Sequence, residues 1–107
     1  MRTLDFKVDR QKLHKLPGCD FSEIVAGSVG YLCAKFHFSE EWNKCTKVAS
    51  FFDEKNNEYS VLLDSEDSCM IPGEALVGAT FTVKLTGARG ANYIIRTDPM
   101  KVKQEVK

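Results

Sequence analysis

The sequence lacks any long apolar run and any excess of charge. No stretch of its 107 residues approaches a membrane span, and the N-terminus has no apolar segment of signal-peptide length. We therefore expect a protein that is made in a cytoplasm and either stays there or is assembled into a particle, without contact to a membrane. The 15 basic and 15 acidic residues cancel, which argues against binding nucleic acid through a dominant electrostatic field.

The sequence also lacks the usual signatures of metal sites and of catalysis. Its four cysteines, Cys19, Cys33, Cys45 and Cys69, include no CxxC pair, so we expect small buried or half-buried thiols and no zinc ligands. No glycine-flanked nucleophile, phosphate loop or metal-spaced histidine pair occurs. These absences predict a protein that is not an enzyme and that has no cofactor and no metal.

Helical periodicity is nearly absent, and two-residue alternation takes its place. Leu32, Ala34, Phe36 and Phe38, for example, share one face of a predicted strand. Strands are predicted at 2–8, 29–38, 46–53, 58–64, 79–87, 91–97 and 99–104. About seven strands in a single domain, 1–107, predict an all-β fold, an immunoglobulin-like antiparallel β-sandwich. The segment 10–27 is left open between a loop and a short helical turn.

Two turns and one aromatic residue are the most informative local features. In the GARGAN turn, Gly87 and Gly90 are both able to adopt positive φ. In Ser39-Glu40-Glu41-Trp42, the serine is expected to cap a short helical turn, which lets Trp42 fold back over the end of the sheet. The alternative for Trp42 is a sugar-stacking platform. The predicted structural anchors of the core are Phe36, Phe38, Trp42, Phe51, Ile71 and Phe81.

Charge is distributed unevenly along the chain. Residues 1–15 and 84–107 are basic, whereas residues 16–83 are acidic, so the molecule has a positive and a negative face if both basic ends lie on one side. The acidic cluster at 64–67 lacks the twelve-residue calcium-loop pattern and is interpreted as a solvated turn. The candidate partner-binding residues are Glu40, Glu41, Asp64, Glu66, Asp67, Thr80, Thr82, Lys84, Arg89 and Arg96.

Several segments, taken in order, resemble the immunoglobulin-like N-terminal domain of tail-fibre and baseplate proteins, including upper baseplate proteins, in phages and prophages of Gram-positive bacteria. The motifs that carry this resemblance are an aromatic strand running into FSxxW (36–42), K-x-A-x-F (47–51), V-x-L-D (61–64), C-x-IP-x-E-x-L (69–76), F-x-V-x-L-x-G (81–87) and I-x-T (95–97). The resemblance covers roughly residues 29–97 and leaves residues 1–28 outside the match. It implies a virion component without catalysis, and it supplies no site residues.

The leading hypothesis is a non-enzymatic structural protein of a phage or prophage virion. It would be a tail, baseplate or head-decoration (capsid) component that binds other virion subunits, either as a homo-oligomer or attached to a tail or head assembly. Its expected location is the virion, or the host bacterial cytoplasm before assembly. Two alternatives stay open: a small phage-encoded inhibitor that binds a host defence protein or a nucleotide signal, and a carbohydrate-binding module.

Overall fold

A computed structural model describes all residues from 1 to 107 and consists almost entirely of β-strands. The strands are β1 (Arg2–Asp9), β2 (Lys12–Lys15), β3 (Leu32–Phe38), β4 (Thr46–Phe52), β5 (Glu58–Leu62), β6 (Ser68–Met70), β7 (Thr80–Arg89), β8 (Tyr93–Arg96) and β9 (Met100–Lys103). Two 3₁₀ turns, at Glu40–Trp42 and Gly73–Leu76, connect strands. The structure contains no helix with the length and apolar character needed to cross a membrane.

The strands form two sheets packed face to face, which confirms the predicted all-β sandwich. The four-stranded sheet has the order β2-β1-β3-β6. The five-stranded sheet has the order β5-β4-β7-β8, and β9 pairs with the first half of β7. All pairs of named strands are antiparallel except β1 and β3, which run parallel with Phe6 opposite Phe36. This parallel pair departs from the entirely antiparallel arrangement that the sequence predicted.

The core lies between the sheets and follows the two-residue alternation of the strands. On β1, Leu4, Phe6 and Val8 are buried and alternate with solvent-facing residues. The rings of Phe6 and Phe36 stack with centroids 5.1 Å apart. In β7 the buried positions are Phe81, Val83, Leu85 and Gly87. Because a strand directs successive side chains to opposite faces, each sheet has one apolar inner face and one outer face in contact with solvent.

All seven predicted strands are present, and the structure adds two short ones. β2 lies inside the segment 10–27, which contains no helix, and β6 follows the acidic turn. β2 has only one buried residue, Leu13, and β6 is three residues long, so neither produces a recognisable alternation. Their pairing with β1 and β3 stabilises them, and that pairing is a long-range property.

Two local features differ from the simplest expectation from the sequence. Of the two glycines of this turn, Gly90 adopts positive φ, at 61°, whereas Gly87 is an ordinary residue of β7 with its backbone against the Trp42 ring. Ser39 is the N-cap residue of the first 3₁₀ turn, but its hydroxyl makes no capping bond. The hydroxyl instead accepts a hydrogen bond of 2.9 Å from the backbone N–H of Arg10. In both cases a contact distant in sequence replaces the expected local one.

Candidate binding face

The outer face of the five-stranded sheet is the surface best suited to contact a partner. Its side chains alternate with the buried residues of the same strands, and the register places them in rows across the sheet. One row runs Leu62–Val48–Thr86–Arg96, and the neighbouring row contains Thr46, Ala88 and Ile94. The whole set, called here the outer face, is Thr46, Val48, Ser50, Phe52, Glu58, Ser60, Leu62, Thr80, Thr82, Lys84, Thr86, Ala88, Ile94, Arg96, Lys101 and Lys103.

Exposed apolar side chains distinguish this face from the opposite one. Leu62 is 63% exposed and Ile94 is 56% exposed, although both belong to regular strands. On the outer side of the four-stranded sheet, His37 Nε2 lies 3.0 Å from Asp5 Oδ1, so these two polar side chains are partners of each other. The large exposed apolar residue of that sheet is Met70, at 37%. Isolated exposed apolar residues are common, but two on one sheet face between threonines suit a binding surface.

The outer face is also basic. It has four cations, Lys84, Arg96, Lys101 and Lys103, against one carboxylate, Glu58. Lys101 pairs with Thr82 and Lys103 pairs with Thr80, so the cations lie beside the threonine rows. The other basic segment of the chain, 1–15, lies in the four-stranded sheet. The two basic ends of the sequence therefore belong to different sheets, and only one of them contributes to this face.

The structure brings together four of the predicted partner-binding residues. Thr80, Thr82, Lys84 and Arg96 lie on the outer face, with the threonines and Lys84 half-buried and Arg96 exposed. Arg89 lies at the end of β7, where its guanidinium carbon is 4.1 Å from the ring centroid of Tyr93, its partner on β8. It belongs to the end of the sandwich and not to the rows of the face.

Glu40 and Glu41 lie at the same end of the sandwich, on the first 3₁₀ turn. Glu40 is exposed, whereas the backbone carbonyl of Glu41 accepts a 2.7 Å hydrogen bond from the Tyr93 hydroxyl. The Glu41 carboxylate lies 3.7 Å from Arg10 Nε. The pKa of Glu41 is lowered, mainly by a hydrogen bond from the Ser39 hydroxyl to its carboxylate. A backbone hydrogen bond and the nearby positive charge of Arg10 make smaller contributions in the same direction. Glu41 therefore has a structural role in this end of the fold.

The acidic turn after β5 has mainly structural contacts. Asp64 Oδ1 accepts hydrogen bonds from the backbone N–H groups of Glu66 and Ser68, at 2.9 and 3.0 Å. Asp67 forms an ion pair of 3.1 Å with Lys47, whose ammonium also lies 5.0 Å from the Phe38 ring centroid. Of the three acidic residues, Glu66 alone has a carboxylate without a partner in the fold, so it is the one free for intermolecular contact.

The predicted anchors lie in the core or against it. Phe36, Trp42, Phe51, Ile71 and Phe81 are buried, and the half-buried Phe38 packs with its ring centroid 5.0 Å from that of Trp42. The Trp42 side chain has no exposed area, and its indole N–H donates a 2.8 Å hydrogen bond to the carbonyl of Arg10. A buried ring offers no face on which a sugar could stack, so Trp42 acts as a structural anchor.

The four cysteines are unpaired, and Cys69 is the most buried of them. Burial, with smaller contributions from Cys33 and Asp64, raises the pKa of Cys69 to about 12. Burial likewise raises the pKa of Cys33. Both groups are therefore neutral thiols near neutral pH, which is unfavourable for a nucleophile. No group of three or more His, Cys, Asp or Glu side chains is arranged to hold a metal ion.

The residues of the outer face that sequence reasoning missed include both of its exposed large apolar side chains, Leu62 and Ile94, and two of its cations, Lys101 and Lys103. Alternation along β7 places Thr80, Thr82 and Lys84 on one side, and this signal is local. Which residues of β5, β8 and β9 lie beside them depends on register across strands, which alternation does not specify. The exposure of Leu62 and Ile94 could have been suspected only if the positions of their strands in the sheet had been known.

Comparison of the chain with protein-family models, curated proteins and solved structures gives no match. The class that the fold and the surface define is a small all-β sandwich with one apolar and basic sheet face. The resemblance to phage baseplate domains stays a prediction.

Proposed function

We propose that this chain is a non-enzymatic structural subunit of a phage or prophage virion, with an immunoglobulin-like sandwich that binds neighbouring subunits through the outer face of its five-stranded sheet. The observation that supports this proposal is the pairing of exposed Leu62 and Ile94 with rows of threonines and four cations on one sheet. Burial of exposed apolar area supplies binding free energy. The positive charge of the face orients a partner of opposite charge.

The physical route is face packing. Threonine and β-branched side chains on a sheet form a surface of limited mobility, so little rotamer entropy is lost when a partner covers it. The partner would present an acidic, partly apolar surface, either on another virion protein or on another copy of this chain. Within a symmetric assembly, one such face on each copy is enough to build a ring or to attach the domain to a tail or head.

The direct test is mass spectrometry of particles purified after induction of the bacterium that carries the gene. The proposal expects the chain in the particles at a fixed copy number relative to known tail or head proteins. Ile94→Glu should remove it from the particles, because the substitution replaces one of the two exposed apolar side chains of the outer face with a carboxylate that must lose its water on binding. Met70→Glu is the matched control, since Met70 is an exposed apolar residue on the other sheet, and this variant should still be incorporated.

Absence of the wild-type chain from the particles would overturn the virion function and favour the inhibitor alternative. Incorporation of Ile94→Glu at the wild-type level, with Met70→Glu behaving the same way, would show that the outer face is not the assembly surface. Each variant is first compared with the wild type by circular dichroism, so that loss of incorporation is not confused with loss of folding.

A further inference from the structure

The strand β5 has an open edge. It is the last strand of its sheet and pairs only with β4. Near the two ends of this pairing, the N–H of Leu63 donates to the carbonyl of Lys47, and the N–H of Asp53 donates to the carbonyl of Asn57. Hydrogen-bonded positions alternate along an antiparallel pair, so the backbone N–H and C=O groups of the odd-numbered residues of β5 point toward β4. The backbone groups of residues 58, 60 and 62 therefore point away from the sheet.

Both edges of the four-stranded sheet are partly blocked. At β2, the N–H of Leu13 donates to Asp98 Oδ1 at 3.4 Å. At β6, the N–H of Ser68 donates to Asp64 Oδ1 at 3.0 Å, and its carbonyl accepts from the N–H of Asp64. Side chains and turns that occupy edge groups in this way prevent unwanted strand addition.

The far edge of the five-stranded sheet is also covered. The carbonyl of Arg96 in β8 accepts a 3.0 Å hydrogen bond from Gln11 Nε2. Just beyond β9, the N–H of Glu105 donates to the carbonyl of Ile24. β5 has no comparable contact on its outward backbone groups, and it contains neither proline nor lysine. Within this molecule, β5 is therefore the edge on which an added strand meets the least obstruction.

Charge at the two ends of β5 selects the kind of strand that fits. At the start of β5, the preceding turn and the first residue of the strand contribute the carboxylates of Asp53, Glu54 and Glu58. The turn after β5 contributes those of Asp64, Glu66 and Asp67. Lys47 neutralises Asp67, and Lys55 is the one base in these two turns. Two copies of β5 placed side by side would bring these acidic ends together in either direction. The occupant of this edge is therefore a segment with basic ends.

We propose that β5 receives an extended segment of a partner protein, which adds to the sheet as a further strand. The segment has lysine or arginine at both ends and an apolar residue opposite Leu62, whose side chain is 63% exposed at this edge. Backbone hydrogen bonds to residues 58, 60 and 62 supply the pairing, and the charges set the preference. This inference deepens the proposed assembly function, on which it rests, by naming the chemistry of one partner.

The test is a titration of the full ¹⁵N-labelled chain with two synthetic peptides, acetyl-KKTVTVTKK-amide and its charge-reversed counterpart acetyl-EETVTVTEE-amide. The basic peptide should shift the amide signals of Glu58, Ser60 and Leu62 and slow their hydrogen exchange. It should bind at least about tenfold more tightly than the acidic peptide at low salt, and this ratio should shrink as salt is added.

Two variants make the test specific. Ser60→Pro removes an outward N–H at an edge position that tolerates proline, so it should abolish binding while Ser60→Thr retains it. If Ser60→Pro does not fold, the double variant Glu58→Lys, Glu66→Lys replaces it as the test. Glu66 has a carboxylate without a partner and that of Glu58 contacts only the Ser60 hydroxyl. This double variant should narrow or invert the preference between the two peptides.

Three outcomes would overturn the inference: neither peptide shifts the β5 amides, both peptides bind equally, or Ser60→Pro folds and binds like the wild type. Failure of the peptide titration while the chain is still found in particles removes the edge inference and leaves the virion function standing. Absence from particles while the basic peptide still binds β5 removes the virion function and leaves the edge as a site for another partner.

Discussion

At the scale of single residues, Trp42 depends on a glycine in the other sheet. A Cβ atom added to Gly87 would lie 2.8 Å from a carbon of the Trp42 six-membered ring, closer than side chains pack. The indole N–H meanwhile donates to the carbonyl of Arg10, in the turn between β1 and β2. One side chain therefore connects a turn of the four-stranded sheet to the second half of β7 in the five-stranded sheet, and Gly87 is needed to accommodate it.

Trp42→Ala is expected to lower the free energy of unfolding by about 3 to 5 kcal/mol, the range for large aromatic truncations in cores. Gly87→Ala should lower it by about 1 to 3 kcal/mol, because the added methyl overpacks the ring. Urea unfolding followed by far-ultraviolet circular dichroism measures both changes. Since the two residues touch, Gly87→Ala should be less harmful in a Trp42→Phe background than in the wild type. An unchanged midpoint for Trp42→Ala would rule out the anchor role.

At the scale of elements, β2 and the turn that precedes it are attached to the connection between β8 and β9 through Asp98. Its carboxylate accepts hydrogen bonds from the Lys12 ammonium, at 3.1 Å, and from the N–H of Leu13. Its backbone N–H donates to the carbonyl of Gln11. The Lys12 hydrogen bond, aided by that from Leu13, lowers the pKa of Asp98 below its usual value despite partial desolvation. One edge of each sheet is joined in this way.

This lowered pKa predicts a pH dependence with a definite sign. A carboxylate with a depressed pKa in the folded state adds stability above its unfolded pKa, and that stability is lost as the pH falls through the folded value. The stability difference between the wild type and Asp98→Asn should therefore be larger at about pH 6 than at about pH 2.5. The effect is small because both partners are substantially exposed.

Urea midpoints at the two pH values measure this difference. Asp9→Asn, at an exposed position without an ion pair, is the control and should show no such change. A stability difference for Asp98→Asn that stays constant, or grows as the pH falls, would contradict the assigned role of the carboxylate.

At the scale of the whole molecule, the N-terminal segment is part of the core. Residues 1–28 lie outside the phage-domain resemblance, yet β1 occupies an inner position of its sheet, between β2 and β3. It contributes Leu4, Phe6 and Val8, each at most 1% exposed. The guanidinium of Arg2 holds the crossover to β3 by donating to the carbonyls of Asp20, Ser22 and Glu23. Any specialised function of this segment would therefore be combined with a structural one.

Deletion of residues 1–15 is expected to abolish cooperative unfolding, because it removes four buried side chains, Leu13 of β2 among them, and exposes the edge of β3. Near-ultraviolet circular dichroism and a urea titration should show a chain without fixed tertiary packing. Deletion of residues 106–107, which are exposed, is the control and should leave the unfolding midpoint unchanged. A cooperative unfolding transition in the chain without residues 1–15 would show that β1 is not required for the packed core.

Pattern and topology contribute differently to this fold. The seven predicted strands could be read from alternation, since apolar residues such as Phe81, Val83 and Leu85 recur every second position. The short strands β2 and β6 could not, because their few residues contain no period. The parallel pairing of β1 with β3 could not either, because the alternation within a strand carries no information about the direction of its neighbour.

The candidate surfaces divide in the same way. Thr80, Thr82 and Lys84 share a face because they share a strand, and the sequence by itself determined that. Only the tertiary structure placed Ile94 beside Ala88, left the edge of β5 open and put Gly87 under Trp42. The physical reason is that side-chain alternation is a property of one strand, whereas register, edge exposure and close packing are set by contacts between residues far apart in the chain.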